Sequence, residues 1–357
     1  MNSRSILRIH RWIALLFAPL LLLQALTGAL LLFHDPLTRL LGPEPSHSDG
    51  PAMPTSALVT AAQNDWPGFR LTRLYLPATK NDVAFALLDD GDGTKRYSAI
   101  DSGSARSLAR GSIWRFPLEA ALQIHFELLS GAFGLVIVTA NGVMLCLIAA
   151  SGTWSWWPGW GRIGSSLKIR KNLPARLRLT AYHRSVGPLA FALLLFSGTT
   201  GVLLAVPNFP PLGGTPSAPT KSVELSDRQI DAAIATAQSA YPEANMRDIR
   251  FAPDGIFAIN FFAPRHGGES VDVVTVTAVE NRIISTLNAE ENPALWLTVL
   301  PLHSGEKFGL PGRLLLLAEA AAILFLGISG PLAWWRSRKG KRSIKKQRTN
   351  NGIAPSR

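Results

Sequence analysis

Five of the seven histidines stand at the edges of apolar stretches, and four of them recur in pairs. "RIHRWIALLFAPLLLLQALTGALLLF" begins at Arg8 and "AYHRSVGPLAFALLLFSGTTGVLLAV" at Ala181. The offset of 173 that carries His10 onto His183 also carries Arg11 onto Arg184 and Thr27-Gly28 onto Thr200-Gly201. A second offset, of 178, carries His125 onto His303, Gly131 onto Gly309 and Gly134 onto Gly312. It continues through Asn141 on Glu319, Ser151-Gly152 on Ser329-Gly330 and Trp156-Trp157 on Trp334-Trp335. A single histidine at such an edge is explained by the headgroup region, where amphipathic rings settle. Pairs at equivalent positions ask for more. Two neutral imidazoles facing each other across a helix bundle are what six-coordinate haem iron needs.

Other chemistries fit less well. Zinc requires a third or fourth ligand close by, and no Cys or carboxylate accompanies these histidines at suitable spacing. The four methionines argue against a copper site. "GWGRIG" at 159–164 matches G-x-G-x-x-G, but an apolar run and a Trp cluster precede it where a nucleotide-binding fold would have a strand. No nucleophile–base pair of hydrolase type is recognisable. His47, in a polar linker, and His266, in a turn, are expected to be solvated and inert. The one cysteine, Cys146, lies inside an apolar stretch, so no intrachain disulfide is possible.

The elements that must position the histidines are membrane spans. Of the 357 residues 47% are hydrophobic and 17% charged, and the apolar ones are concentrated. Four stretches, about Trp12–Phe33, Ala132–Trp157, Val186–Val206 and Leu314–Trp335, reach the roughly 20 residues a bilayer requires. The first has too long an apolar core for a cleaved signal peptide and no small-x-small site after it. Nineteen of the 36 Lys/Arg fall in residues 1–11, 158–184 and 336–357, where there is no Asp or Glu. The positive-inside rule then places both termini and the central loop in the cytoplasm and the two long loops outside. The net charge of +12 reports topology, and a nucleic-acid partner is not expected.

The expected fold class is a mainly α membrane protein, a four-helix transmembrane bundle built from two parallel repeats, with two small α+β exterior domains. The order is span 1 (1–34), exterior domain 1 (35–118), span 2 (119–157), cytoplasmic loop (158–182), span 3 (183–206), exterior domain 2 (207–302), span 4 (303–335) and basic tail (336–357). In the second domain Ser226 caps a helix over Asp227–Ala240, and "MRDIRFA", "IFAINFF" and "VDVVTVTAV" read as strands. The first offers "ALVTAAQ", then "RLTRLYL", "VAFALL" and "KRYSAI", with "DDGDG" as a turn. "GPEPSHSDGPAMP" and "PNFPPLGGTPSAP" are linkers. No run of cations marks either domain, so a ligand there is expected to be held loosely.

In this arrangement His10 and His183 meet at the cytoplasmic edge, and His125 and His303 at the exterior edge. Gly28 and Gly201 lie level with the exterior pair, Gly152 and Gly330 with the cytoplasmic pair. They are expected either to clear space for a flat macrocycle or to serve ordinary helix packing. Arg8, Arg11 and Arg184 could neutralise haem propionates. Glu319, with Asn141 as its mate, lies several residues inside the membrane, as a proton or charge-compensation partner or as a hydrogen bond between helices.

The twin "HR…TG" spans, the H-x8-G spans ending "SGTWSWW" and "SGPLAWW", and the exterior α+β units resemble the PepSY-associated transmembrane family over nearly the whole chain. The resemblance implies a multi-pass bacterial inner-membrane protein with two PepSY-like periplasmic units. Family members that act as siderophore-iron reductases hold two b-type haems through paired histidines, and the matching positions are His10 with His183 and His125 with His303. His34 also sits at the exterior edge, lacks a mate (Pro207 stands there) and is a possible alternative exterior ligand. The function implied is a transmembrane ferric-siderophore reductase. It would carry electrons from a cytoplasmic donor to a periplasmic ferric siderophore and release Fe(II). The alternative is a non-enzymatic module whose PepSY-like domains bind or regulate a periplasmic partner.

Overall fold

The computed structural model describes residues 3–44, 53–77, 82–169, 172–206, 223–263, 270–292 and 294–350, the side chains of 175–176 and 337–350 excepted. His47, His266 and Pro207 lie outside the described residues, as does most of both linkers. The helices are α1 (Ser3–Leu31), α2 (His34–Leu41), α3 (Thr55–Asp65), α4 (Pro117–Glu127), α5 (Gly131–Trp156), α6 (Ile163–Leu167), α7 (Ala175–Ala205), α8 (Asp227–Gln238), α9 (Leu295–His303) and α10 (Gly309–Asn350). The strands are β1 (Arg70–Tyr75), β2 (Val83–Asp89), β3 (Lys95–Asp101), β4 (Ser107–Gly111), β5 (Met246–Phe251), β6 (Ile256–Phe262), β7 (Val271–Thr277) and β8 (Arg282–Leu287). The chain divides into a helical unit (Met1–Leu32, Leu122–Phe209, Leu302–Arg357) and a sheet unit (Phe33–Ala121, Pro210–Pro301).

Four helical stretches, Arg4–Leu31, Gly131–Trp156, Leu177–Ala205 and Glu306–Arg336, are long and apolar enough to cross a membrane. Only helices satisfy every backbone group internally in lipid, so uninterrupted runs of Leu, Ala and Val fold this way. Their outer faces are apolar too: Leu16, Phe133, Leu189 and Leu315 are exposed. This is a membrane protein. Helix α1 packs against α5 and α10, and α7 packs against the same two. Leu21, Leu145, Ala149, Ala190 and Leu194 fill the space between them. The α5–α7 crossing is close because both sides are glycine. A Cβ on Gly198 would meet Cys146 Sγ at 2.7 Å and Gly142 O at 3.0 Å. Cys146 is a free, half-buried packing residue. "GWGRIG" falls on a short 3-10 turn (Trp160–Arg162) and α6, with α5 before it and no strand.

The sheet unit corrects the expectation of two separate small domains. Its eight strands form one antiparallel sheet in the order β4-β3-β2-β1-β5-β6-β7-β8. The join is β1 on β5, with Leu74 opposite Ile249 and Tyr75 opposite Asp248. Each half would otherwise expose an open edge strand, and pairing the two removes both exposed edges. Helices α3 and α8 pack side by side, tied by Ser56 Oγ–H donating to Asp231 at 2.6 Å and Thr60 Oγ1–H to Asp227 at 3.0 Å. Both cover one core with Leu74, Ile249, Phe257, Ile259, Phe261 and Val274. The Ser226 cap is a full capping box with Gln229. Strands β4 and β8 escaped the sequence reading because an edge strand keeps little apolar alternation, and β8 is largely exposed.

Alternation along β1 and β5 puts Arg73, Tyr75, Asp248 and Arg250 on the face opposite α3 and α8. There the structure gathers the cations that the sequence scattered. Asp248, fully buried, accepts from Arg73 Nε at 2.9 Å, Arg247 Nε at 3.0 Å and Asn260 Nδ2 at 2.9 Å, with Arg250 Nε at 3.7 Å. Burial alone would raise this carboxyl's pKa. The guanidiniums of Arg73 and Arg247 outweigh it and hold the group below the usual carboxylate range. Asp248→Ala leaves the partly buried guanidiniums of Arg73 and Arg247 without this partner, a loss of about 3 kcal/mol that lowers the melting temperature by on the order of 10 °C. Because the folded-state pKa is depressed, the stabilisation is present above the unfolded value of about 3.9 and lost as pH falls through the folded value. Thermal unfolding of wild type and Asp248→Asn should therefore differ by a constant amount at neutral pH and converge only in strong acid.

Candidate functional site

In the helical unit every paired histidine is gripped through one ring nitrogen. His125 Nδ1–H donates to Gln24 O at 3.1 Å and lies 3.0 Å from Thr27 Oγ1, whose own hydrogen goes to Leu23 O. His303 Nδ1 lies 2.8 Å from Thr200 Oγ1, whose hydrogen goes to Phe196 O. His10 Nδ1–H donates to Ile148 O at 3.1 Å and faces Ser151 Oγ at 3.3 Å, and His183 Nδ1 meets Ser329 Oγ at 2.8 Å. Where a carbonyl faces Nδ1, as at His125 and His10, the proton sits on Nδ1 and Nε2 is the lone-pair nitrogen. No hydrogen bond engages Nε2 of these four rings among the described residues.

The four glycines lie beside the rings. A Cβ on Gly28 would come within 3.0 Å of His125 Cε1, on Gly152 within 2.9 Å of His10 Cε1, on Gly330 within 3.2 Å of His183 Cε1, and on Gly201 within 3.4 Å of His303 Cε1. The space each glycine leaves is taken up by an imidazole edge. Each Thr-Gly or Ser-Gly pair is a seat, with the hydroxyl holding Nδ1 and the glycine making room for the ring. The sequence reading aligned these pairs without giving the hydroxyls a role. Their recurrence four times, once per histidine, was the signal that could have found it.

His125 and His303 are brought together, ring centroids 6.3 Å apart and planes 49° apart. Two nitrogen–metal bonds of about 2.0 Å plus the ring radii span roughly this distance, so the pair fits a single shared metal. Burial pushes both imidazoles down to about 4, His303 further through His125, so both are neutral at physiological pH as ligands must be. At the other end His10 is seated on α5 through Ile148 and Ser151, and His183 on α10 through Ser329. Arg8, Arg11 and Arg184 are exposed there, and no acidic side chain pairs with them among the described residues.

His125 and His303 do not ride on the long helices. His125 lies in the last turn of α4 and His303 ends α9, short helices separated by a turn from α5 and α10, so the 119–157 segment is two helices. The first turn puts Leu128, Leu129 and Gly131 at φ of 51°, 57° and 56°; the second uses Gly305 at 75° and Gly309 at 60°. The H-x8-G glycines let the turns close. A Cβ on Gly134 would lie 1.7 Å from Glu127 O, and one on Gly312 2.4 Å from Gly305 O.

His34 is not placed as a ligand. Its Nδ1 pairs with Asp35 at 3.2 Å and its Nε2 with Glu119 at 3.5 Å. These carboxylates raise it to about 9, so it is protonated and offers no lone pair. Among the described residues no group of three or more His, Cys, Asp or Glu is placed to hold a bare metal ion.

The fold and site define a membrane protein with four helices long and apolar enough to span a bilayer, an antiparallel sheet unit and four similarly seated histidines. The chain belongs to the PepSY-associated TM region family, whose model matches residues 7–337. No curated protein matches the chain.

Proposed function

We propose that the protein is a di-haem b electron carrier of the bacterial inner membrane, built from two parallel repeats with PepSY-like halves in its periplasmic sheet unit. It passes electrons from a cytoplasmic donor to a periplasmic ferric siderophore. The observation that carries this reading is the set of four imidazoles held alike through Nδ1, one pair of them 6.3 Å apart. His125 with His303, and His10 with His183, would hold the two haems, and each bound haem supplies one-electron chemistry at its iron.

The chain's own part is positioning. The carbonyls of Gln24 and Ile148 keep the proton on Nδ1 of His125 and His10, and Thr27, Thr200, Ser151 and Ser329 fix the ring angles. Such supporting partners typically carry 10–100-fold in metal affinity. Arg11 and Arg184, each next in sequence to a histidine of the cytoplasmic pair and exposed, would neutralise propionates. Segments 1–11, 158–184 and 336–357, rich in cations and free of acids, support a cytoplasmic side for this pair. Reduction releases iron because Fe(II) binds oxygen-donor chelators far more weakly than Fe(III). On the sheet face, Arg73, Arg247 and Arg250 surround one carboxylate and leave an excess of positive charge that suits an anionic chelate.

The test is vectorial. Protein in liposomes is reduced with dithionite, the excess is removed, and ferric siderophore is added to the exterior compartment. Reoxidation of the haem absorbance by siderophore on the side of the sheet unit, with Fe(II) trapped by a ferrous chelator there, is the expected result. No reoxidation, or reoxidation by chelate confined to the other side, would refute the reading.

A further inference from the structure

One acidic side chain lies deep in the bundle, and the electron path described above does not use it. Glu319 on α10 is 3% exposed, as is its repeat mate Asn141 on α5. Ser197 Oγ–H of α7 donates to Glu319 Oε2 at 2.7 Å. Glu319 Oε1 and Asn141 Oδ1, both buried, have no hydrogen-bond partner among the described residues. The expected hydrogen bond between helices is therefore present, and it satisfies only half of the carboxyl.

The surroundings are neutral. No Asp, Glu, Lys or Arg occurs in α1 beyond Arg11, in α5, or in α7 beyond Arg184. The turn before α10 contributes Lys307, which is exposed, and Glu306, which is paired with Arg313 of α10. Ser197 stands three residues, about 4.5 Å of helix rise, before Thr200, the residue that anchors His303. A carboxylate this deep, with one oxygen unsolvated, is disfavoured unless positive charge lies close. Ferric haem carries one more positive charge than ferrous haem.

We propose that Glu319 is a redox-linked proton site, taking up one proton when an electron reaches the iron held by His125 and His303, and releasing it when that electron leaves. The proposal rests on the di-haem reading. The balance is Fe(III) plus one electron to Fe(II), and carboxylate plus one proton to carboxylic acid. The electron comes from the cytoplasmic reductant and the proton from water. On the return step the electron reduces Fe(III) of the chelate to Fe(II), and the proton goes back to water. The charge of the buried centre is then the same before and after, which removes the cost of adding unbalanced charge to a low-dielectric interior. In the other half the mates of Ser197 and Glu319 are Gln24 and Asn141, both neutral amides. The bundle thus already accommodates an amide at this position.

The experiment is a spectroelectrochemical titration of the purified, full-length haem-loaded protein at a series of pH values. In wild type one of the two midpoint potentials should fall with rising pH, approaching about 59 mV per unit, the tenfold change in equilibrium constant for a one-electron couple. Glu319→Gln should keep both haem spectra and lose the slope, and Glu319→Asp should restore it. Redox-difference infrared spectra of wild type give a second readout independent of the variants. A protonated-carboxyl C=O band should grow on reduction. A slope that survives in Glu319→Gln, a wild type without slope, or a wild type without the band overturns the proposal. Haem present without the slope defeats the proton site alone. A preparation without haem defeats the di-haem reading and this proposal together.

Discussion

His303→Ala is expected to leave the protein with one haem of two and to abolish reoxidation by an exterior ferric chelate. The side chain is one of two neutral nitrogen donors at its site, and among the described residues none is placed to replace it. His34, the other histidine near that edge, has both nitrogens tied to carboxylates at 3.2 and 3.5 Å and is protonated. Losing a ligand costs more than the 10–100-fold that follows from losing a mere supporting partner. At micromolar protein the site should therefore empty. The pair at the opposite end keeps its own seats, Ser151-Gly152 and Ser329-Gly330, and should hold its haem in the variant. Haem per chain, measured on the purified variant, decides the matter: about one supports the pairing, and about two removes it. His34→Ala serves as the control and should retain both.

A substitution that touches no ligand should have nearly the same effect. In Gly134→Val a Cβ would stand 1.7 Å from Glu127 O and 2.5 Å from its carbonyl carbon, so the turn that aims His125 cannot close. The backbone there is already held at positive φ at Leu128 and Leu129, conformations that cost of order 1–3 kcal/mol each and persist only when their surroundings enforce them. Releasing that turn should swing α4 away from α1, separating His125 from Gln24 O and Thr27. Haem content should fall by one, as in His125→Ala, while the His10/His183 spectrum is unchanged. Gly201→Ala, where the added carbon meets His303 Cε1 at an ordinary 3.4 Å, should be tolerated. Retention of both haems in Gly134→Val would show that the turn does not position the ligand.

The spans and the histidine pairs were legible because each leaves a one-dimensional trace: an apolar run, and a residue repeated at a fixed offset. The Ala132–Trp157 stretch matches α5 to within one residue at each end. The helix break ahead of it was not legible. "FELLSGAFG" has no proline to interrupt it, its one charge, Glu127, is compatible with a helix, and leucine gives no hint of a positive φ at 128 and 129. The continuous sheet escaped for a different reason. Whether two edge strands 175 residues apart, such as those of Arg73 and Asp248, pair with each other is decided by tertiary packing. The arginine cluster arises from that same pairing, since Arg73 comes from one half and Arg247 and Arg250 from the other. Within the site, the glycines, expected either to clear space for a macrocycle or to serve helix packing, lie beside the imidazole rings. The hydroxyl of the preceding Thr or Ser, present in every aligned pair, was the part of the seat that residue type alone left without a role.

The central claim is that two pairs of Nδ1-anchored imidazoles hold two haems, and haem stoichiometry of the wild-type protein tests it most directly. The full chain, expressed in a haem-replete bacterial host and purified in mild detergent, is assayed by pyridine haemochrome against protein by amino-acid analysis. The reduced spectrum is recorded in parallel. The expected result is two b-type haems per chain with a low-spin, split α band, since both irons would be six-coordinate between histidines in different surroundings. A protein that folds, keeps its four-span helical content and carries no haem would contradict the account.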